Sequence, residues 1–214
     1  MTKFRNILLA LCLVSVSVPY SFSQTQFGLG LRTGIDFSTI SFDPEAPLAP
    51  TVTKSGLTTF VIGAVAELQF AGMFAAEIEP RYILKGIKYE SGAAKQTVST
   101  SQLELPLHFK VKFLKGSVRP FAFVGPNLGI VLTAKSKLEG TGNDGETDLK
   151  NTTSSTDFGL DFGGGAEFKV ASNIAITGDV RYTLGLSNLD TTPGITSTTK
   201  TRGFQILFGA LFLL

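Results

Sequence analysis

Apolar and polar residues alternate along much of this chain with a period of two. The clearest run is Ser101–Leu132. Leu103, Leu105, Leu107, Phe109, Val111 and Phe113 fall on one face, while Gln102, Glu104, Pro106, His108, Lys110 and Lys112 fall on the other. Such alternation puts the two sets on opposite sides of a β-strand. Lys115-Gly116 then reverses the chain, and a second apolar strand returns from Val118 to Leu132, its alternation less clean and Gly125-Pro126 suggesting a bend in its middle.

The same pattern recurs at Phe27–Phe37, Leu57–Phe70, Phe74–Lys85, Asp157–Val170, Ile174–Leu186 and Arg202–Leu214. Pro80 interrupts the third of these strands and predicts a local bulge. A Pro-rich connection covers Asp43–Pro50, polar connections cover Gly86–Thr100 and Ser187–Lys200, and the longest loop is Thr133–Thr156. No segment after residue 23 carries a helical period. Eight strands joined alternately by long and short connections predict an all-β fold: an eight-stranded antiparallel up-and-down transmembrane β-barrel, both termini on the short-turn side.

A soluble barrel also has one apolar and one polar face, so three further features decide which side is wet. Phe27 and Phe37, Phe60 and Phe70, and Phe158 and Phe168 stand ten residues apart on one face. At ~3.3 Å per residue and a tilt of ~40°, that spacing rises about 25 Å, the height of a membrane band. Phe70, Phe74, Phe113, Phe168 and Phe212 would form one interfacial rim and Phe37, Phe60, Phe158 and Phe204 the other. Gly28, Gly30, Gly34, Gly63, Gly163 and Gly165 lie on the polar face, where they make room for long charged side chains in a narrow lumen. Finally, that face carries Arg32, Arg81, Lys85, Lys110, Lys112, Arg119, Lys169 and Arg181 against Asp36, Glu67, Glu77, Glu79, Glu104, Asp157, Asp161, Glu167 and Asp179. Eight cations and nine carboxylates can pair, as enclosed charges must.

Lys3 and Arg5, the apolar run Ile7–Val18 and the small-x-small site Ser21-Phe22-Ser23 read as a cleaved signal peptide over residues 1–23, leaving residues 24–214 as one barrel domain. Leu11 stands before Cys12 where a lipidation site wants a small residue. Cleavage after Ser23 removes that lone cysteine, so no disulfide is expected. It also leaves 17 basic against 17 acidic residues, and a neutral chain gives no basis for binding nucleic acid.

Candidate chemistry is sparse. Arg32, Asp36, Glu67, Glu77, Glu79, Arg81, Glu104, Lys110, Arg119, Asp161, Glu167, Asp179 and Arg181 are expected to form a lumen charge network that plugs the barrel. His108, the only histidine, points inward at mid-strand, away from the accessible mouth that hydrolytic chemistry would need, so no enzyme activity and no cofactor are expected. Asp144, Glu146 and Asp148 alternate in the longest loop but lack the spacing of a calcium loop, and are expected to be solvated.

Several of these segments resemble the PorT-like outer-membrane β-barrel family of the Bacteroidota. Leu103-Glu104-Leu105-Pro106-Leu107 with Phe109-Lys110 is similar to that family's "LEIPL…K" strand, and Arg119-Pro120-Phe121 through Gly125-Pro126-Asn127-Leu128-Gly129 to its "RPY…GP.LG" strand. Phe158-Gly159, Gly163–Phe168, Arg181-Tyr182 and Gly185–Asn188 resemble its last three strands. The resemblance implies an outer-membrane location and a structural or accessory role, with protein secretion as the process served by the family's namesake. Expected partners are outer-membrane lipid, the barrel-assembly machinery (to which Gly209, Phe212 and Leu214 resemble a signal) and proteins met through the loops, the barrel itself being a monomer. A small-solute transport barrel and a soluble lipocalin-like carrier are the alternatives.

Overall fold

A computed structural model describes residues 25–214 apart from residues 46, 193, 195 and 196; the predicted signal peptide lies outside the described residues. The strands are β1 (Gln26–Asp43), β2 (Thr53–Phe70), β3 (Phe74–Ile78), β4 (Arg81–Ser91), β5 (Ala94–Lys112), β6 (Val118–Glu139), β7 (Gly145–Asp148), β8 (Thr156–Ala171), β9 (Ile174–Gly185) and β10 (Thr198–Leu213). All pairings are antiparallel. β1 pairs with both β2 and β10, which closes the ring, and β3 and β4 together occupy one place in it between β2 and β5. Eight strand positions therefore form a barrel, with β7 a short addition to β6.

The registers give the barrel its shape. Followed from neighbour to neighbour, Phe27 pairs with Leu68, then Ala76, Phe109, Val124, Phe162, Tyr182 and Phe204, and the circuit returns to β1 at Phe37. That ten-residue stagger around eight strands corresponds to a strand tilt of about 40° and a radius of about 8 Å, just wide enough to be filled by side chains.

The wall is apolar outside and charged inside. Leu31, Ile35, Phe60, Leu105, Leu107, Phe109, Val124, Leu128, Phe162 and Phe208 are exposed on the outer face, whereas Arg32, Glu77, Glu79, Arg81, Glu104, Lys110, Asp161 and Arg181 are buried in the lumen. No soluble carrier could present this outer face to water. Aromatic contacts gather near the predicted rims: Phe70, Phe74 and Phe109 at the end bearing the short turns, Phe37 and Phe204 towards the other.

Three details depart from expectation. Pro80 breaks the ladder without a bulge, because Ile78↔Leu107 and Arg81↔Glu104 keep one register on either side of it. Gly125-Pro126 acts in the same way: pairing lapses between Pro106↔Asn127 and Phe109↔Val124 and resumes unshifted. A Cβ at Gly125 would collide with the Leu107 carbonyl, so glycine permits this close approach. The register shifts lie instead between Gly56 and Val61 on β2, opposite Ser101–Gln102 of β5, and between Lys169 and Ala171 on β8.

The largest departure is at Gly86–Thr100, expected to be a loop. β4 and β5 run on as a paired hairpin, Lys85↔Thr100 through Ser91↔Ala94, turning at Gly92-Ala93 with Gly92 at positive φ. β6 follows β5 up to Lys95↔Glu139, and β7 adds to β6 over Lys135–Leu138. These polar segments have little apolar alternation to betray a strand, yet their backbones still pair. Opposite them, β1 and β10 continue together to Asp43↔Thr198. β1 and β2 part beyond Ser38↔Leu57, so the wall opens into two leaves at the loop end.

Candidate functional site

Every residue of the expected lumen network is buried. The inward faces of the strands bring most of these residues together in one continuous set of contacts. At the turn end, Arg119 donates to the Gln69 side chain (2.9 Å) and to the Gly72 carbonyl (2.9 Å), with Glu167 3.7 Å away. Lys112 then bridges Glu67 (2.5 Å) and Glu167 (2.6 Å), and Lys110 bridges Glu67 and Glu77 at 2.8 Å each.

In the middle, Arg32 donates to Glu77 (2.9 Å) and Glu79 (2.5 Å). Arg181 reaches Glu79 (3.0 Å) and Asp179 (3.5 Å). Arg81 holds Glu104 (2.6 Å) and Asp161 (3.0 Å) and donates to Gln205 (3.2 Å). His108 lies between them, its ring nitrogens each 3.3 Å from an oxygen of Glu77 or Asp161. Towards the loop end Lys85 meets Glu104 at 2.5 Å, and Asp157 accepts from Thr201 (2.8 Å) and Ser187 (2.9 Å). The gap among Lys85, Glu104, Asn127, Asp157, Thr183 and Thr201 leaves no room for a solvent molecule.

Two glycines make the central arginines fit. Gly63 of β2 is paired with Arg32 on one side and Arg81 on the other, and a Cβ there would come within 2.8 Å of the Arg81 Cβ. Gly163 of β8 lies between Phe123 and Arg181, and a Cβ would come within 2.8 Å of the Phe123 ring. The space lets the Arg181 guanidinium stand 5.1 Å from the Phe123 ring centre, a cation–π contact.

Phe121 and Phe123 are additions to the expected lumen residues. Both are buried on the inward face of β6, where Lys110 lies 4.2 Å over the Phe121 ring and His108 4.8 Å from that of Phe123. Their parity with Arg119 and Asn127 is the available signal, hidden because β6 is apolar on both faces. Lys85, Lys112, Gln69 and Gln205 complete the set. Two of the charges expected on the inward face behave differently. Asp36 is buried, but among the described residues its carboxylate has neither an ion pair nor a hydrogen-bond partner. Lys169 is not enclosed; it lies half-buried at the turn end. The enclosed charges are thus seven cations and nine carboxylates rather than eight and nine.

Glu77, Glu79 and His108 come close enough together to suggest metal ligands. Arg32, Lys110 and Arg181 already occupy their oxygens, so the donor set fits ion pairing and not a cation. The acidic residues of the longest loop are likewise engaged: Glu146 with Lys135 (2.7 Å), Asp144 with the Thr141 amide and Asp148 with the Lys150 amide. Hydrogen bonding to Glu146 raises the Lys135 ammonium above its ordinary pKa.

Above the network the mouth is capped. Ser154 donates its amide to the Leu189 carbonyl and Thr191 to that of Thr152, drawing two loop segments together. A cavity of about 260 Å³ remains between the leaves, lined by Ile40, Phe42, Val98, Leu149 and Leu189 with several threonines.

Residues 22–191 match the model of a family described as the outer membrane protein beta-barrel domain. The chain belongs to this outer-membrane β-barrel family. No curated protein matches. Among solved structures the chain is similar to the outer membrane protein OprG from Pseudomonas aeruginosa, at 14% identity and a TM-score of 0.52, covering 89% of this chain and 95% of that one. It is also similar to a major outer membrane protein from Thermus thermophilus, at 11% identity and a TM-score of 0.51, covering 89% and 99%. At these identities the likeness concerns the fold alone, and it agrees with a wall that is apolar outside and charged within.

Proposed function

We propose that this outer-membrane β-barrel protein is a closed barrel with a structural or accessory role, not a pore. The observation that carries this reading is the chain of ion pairs from Arg119 to Lys85, which spans the lumen with side chains in direct contact. A narrow eight-stranded barrel leaves no second path beside them. On this reading the turn end and both termini face the periplasm, the barrel is a monomer without catalytic activity, and the two leaves at the loop end meet partners outside the cell. The resemblance of Leu103–Lys110 and Arg119–Gly129 to PorT-like proteins supports protein secretion as the process such a barrel would serve.

Planar-bilayer recording tests the closed lumen. Purified protein is expected to give no steady conductance. Stable openings would replace this reading with a small-solute transport barrel in which Arg32, Arg81, Arg119 and Arg181 act as selectivity residues.

A further inference from the structure

At the turn-end mouth, where the lumen network ends in Arg119 with Glu167 3.7 Å away, cations outnumber carboxylates. A cavity of about 220 Å³ there is lined by Gln69, Gly72, Lys115, Gly116, Arg119 and Lys169. Its three cations come from three places: Lys115 from the β5–β6 turn, Arg119 from the first turn-end residues of β6, and Lys169 from the last residues of β8. Glu167 is the carboxylate at hand, and it is already held by Lys112 at 2.6 Å. Among the described residues neither Lys115 nor Lys169 has an ion-pair partner.

Arg119 is built into the site. It is 4% exposed, and its guanidinium is aligned by bonds to the Leu114 carbonyl (3.2 Å), Gln69 and the Gly72 carbonyl. A guanidinium has five donors, so donors beyond these three bonds remain for a ligand. Gln69 is itself fixed, donating to the Gly72 carbonyl at 3.0 Å. A preset guanidinium beside two unpaired ammonium groups is a receptor for an oxyanion.

The surroundings indicate where that oxyanion comes from. Phe113 and Leu114 precede Lys115, Phe168 and Val170 flank Lys169, and Val118 pairs with Phe168; all five apolar side chains are exposed at this rim. Acyl chains can lie along this strip while a headgroup phosphate reaches over the rim to the cations. We infer that the Lys115–Arg119–Lys169 mouth binds the phosphate of an anionic phospholipid from the adjoining leaflet. The assignment rests on the reading of this end as the membrane's periplasmic rim, but not on the closed lumen.

The test uses protein isolated from membranes and placed in nanodiscs of phosphatidylcholine alone or with a minority of phosphatidylglycerol. Lipid retained on release is counted by native mass spectrometry. Both leaflets of a disc have one composition, so the result does not depend on orientation, and bilayer conductance reports on the lumen separately. Wild type is expected to retain phosphatidylglycerol in preference to phosphatidylcholine. Lys115→Ala and Lys169→Ala should each weaken that preference about fivefold, whereas Lys150→Ala in the opposite loop leaves it unchanged. Equal retention by wild type and both variants would overturn the inference. Displacement of phosphatidylglycerol by millimolar inorganic phosphate would overturn the lipid assignment and leave a site for soluble phosphate esters.

Discussion

Within the membrane band and just beyond it, the same strands are organised in opposite ways. In the band β1 turns Arg32 and Asp36 inward, β4 turns Arg81 and Lys85 inward, and β6 turns Asn127 inward, while Leu31, Tyr82 and Leu128 face out. A few residues further on, the inward positions are Ile40, Ile87, Val131 and Ala134, all buried. The outward ones now carry Lys88, Lys95, Lys135 and Lys137, paired with Glu90, Glu139 or Glu146. One continuous sheet is thus inside-out at one end and built like a soluble sheet at the other. Backbone pairing does not differ between the two; the solvent outside does. The point of inversion, near Ser38 and Leu57 where the leaves part, therefore marks the edge of the hydrocarbon.

The contrast is sharpest for charge, because ion pairs within the band are dry and those on the leaves are wet. Arg81→Ala takes the nearest cation from Asp161 and leaves Glu104 to Lys85 alone, and is expected to cost about 3–5 kcal/mol. Urea unfolding in lipid should show this, with Arg181→Ala close behind. Lys137→Ala, which removes an exposed pair with Glu139, should leave the unfolding midpoint nearly unchanged in the same assay. Equal losses at the two levels would erase the distinction.

The next test inverts the outer face. Leu105→Arg places a charge against hydrocarbon and should cost about 2–4 kcal/mol. Thr97→Arg, on the same face of β5 but beside Lys88 and Lys137 of the leaf, should cost little, since that face meets water. A large loss at Thr97 would mean that the hydrocarbon extends over the leaves.

Much of this organisation is legible in the alternation. The strand number, the ring, the inward placement of the thirteen expected charges and the break at Pro80 all follow from period-two patterning and from the residues that interrupt it. What cannot be read there has physical causes. Arg32 finds Glu77 and Arg81 finds Glu104 only through registers, and a period of two says which face a residue occupies but not which residue stands opposite. The leaves read as loops because Lys88–Lys95 and Lys135–Glu139 are polar on more than one side. Phe121 and Phe123 escape notice because an apolar side chain in a charged lumen defeats any assignment by polarity.

Asp36 probes the smallest effect and the opposite sign. A buried carboxylate with no partner lowers stability, so Asp36→Asn, in contrast to every other lumen substitution, should leave the unfolding midpoint unchanged or raise it. A drop comparable to that of Arg81→Ala would place Asp36 in the network after all.

A double-mutant cycle on Arg81 and Glu104 is the most direct test that the lumen is a packed and paired network. The two side chains meet at 2.6 Å, buried on neighbouring strands. Arg81→Met, Glu104→Gln and the double variant would be unfolded in urea in lipid bilayers. A coupling free energy of about 2–3 kcal/mol is predicted, the upper part of the range for residues in contact. Additive losses, with no coupling between the two sites, would mean that the charges are solvated independently in an aqueous lumen and would contradict the account.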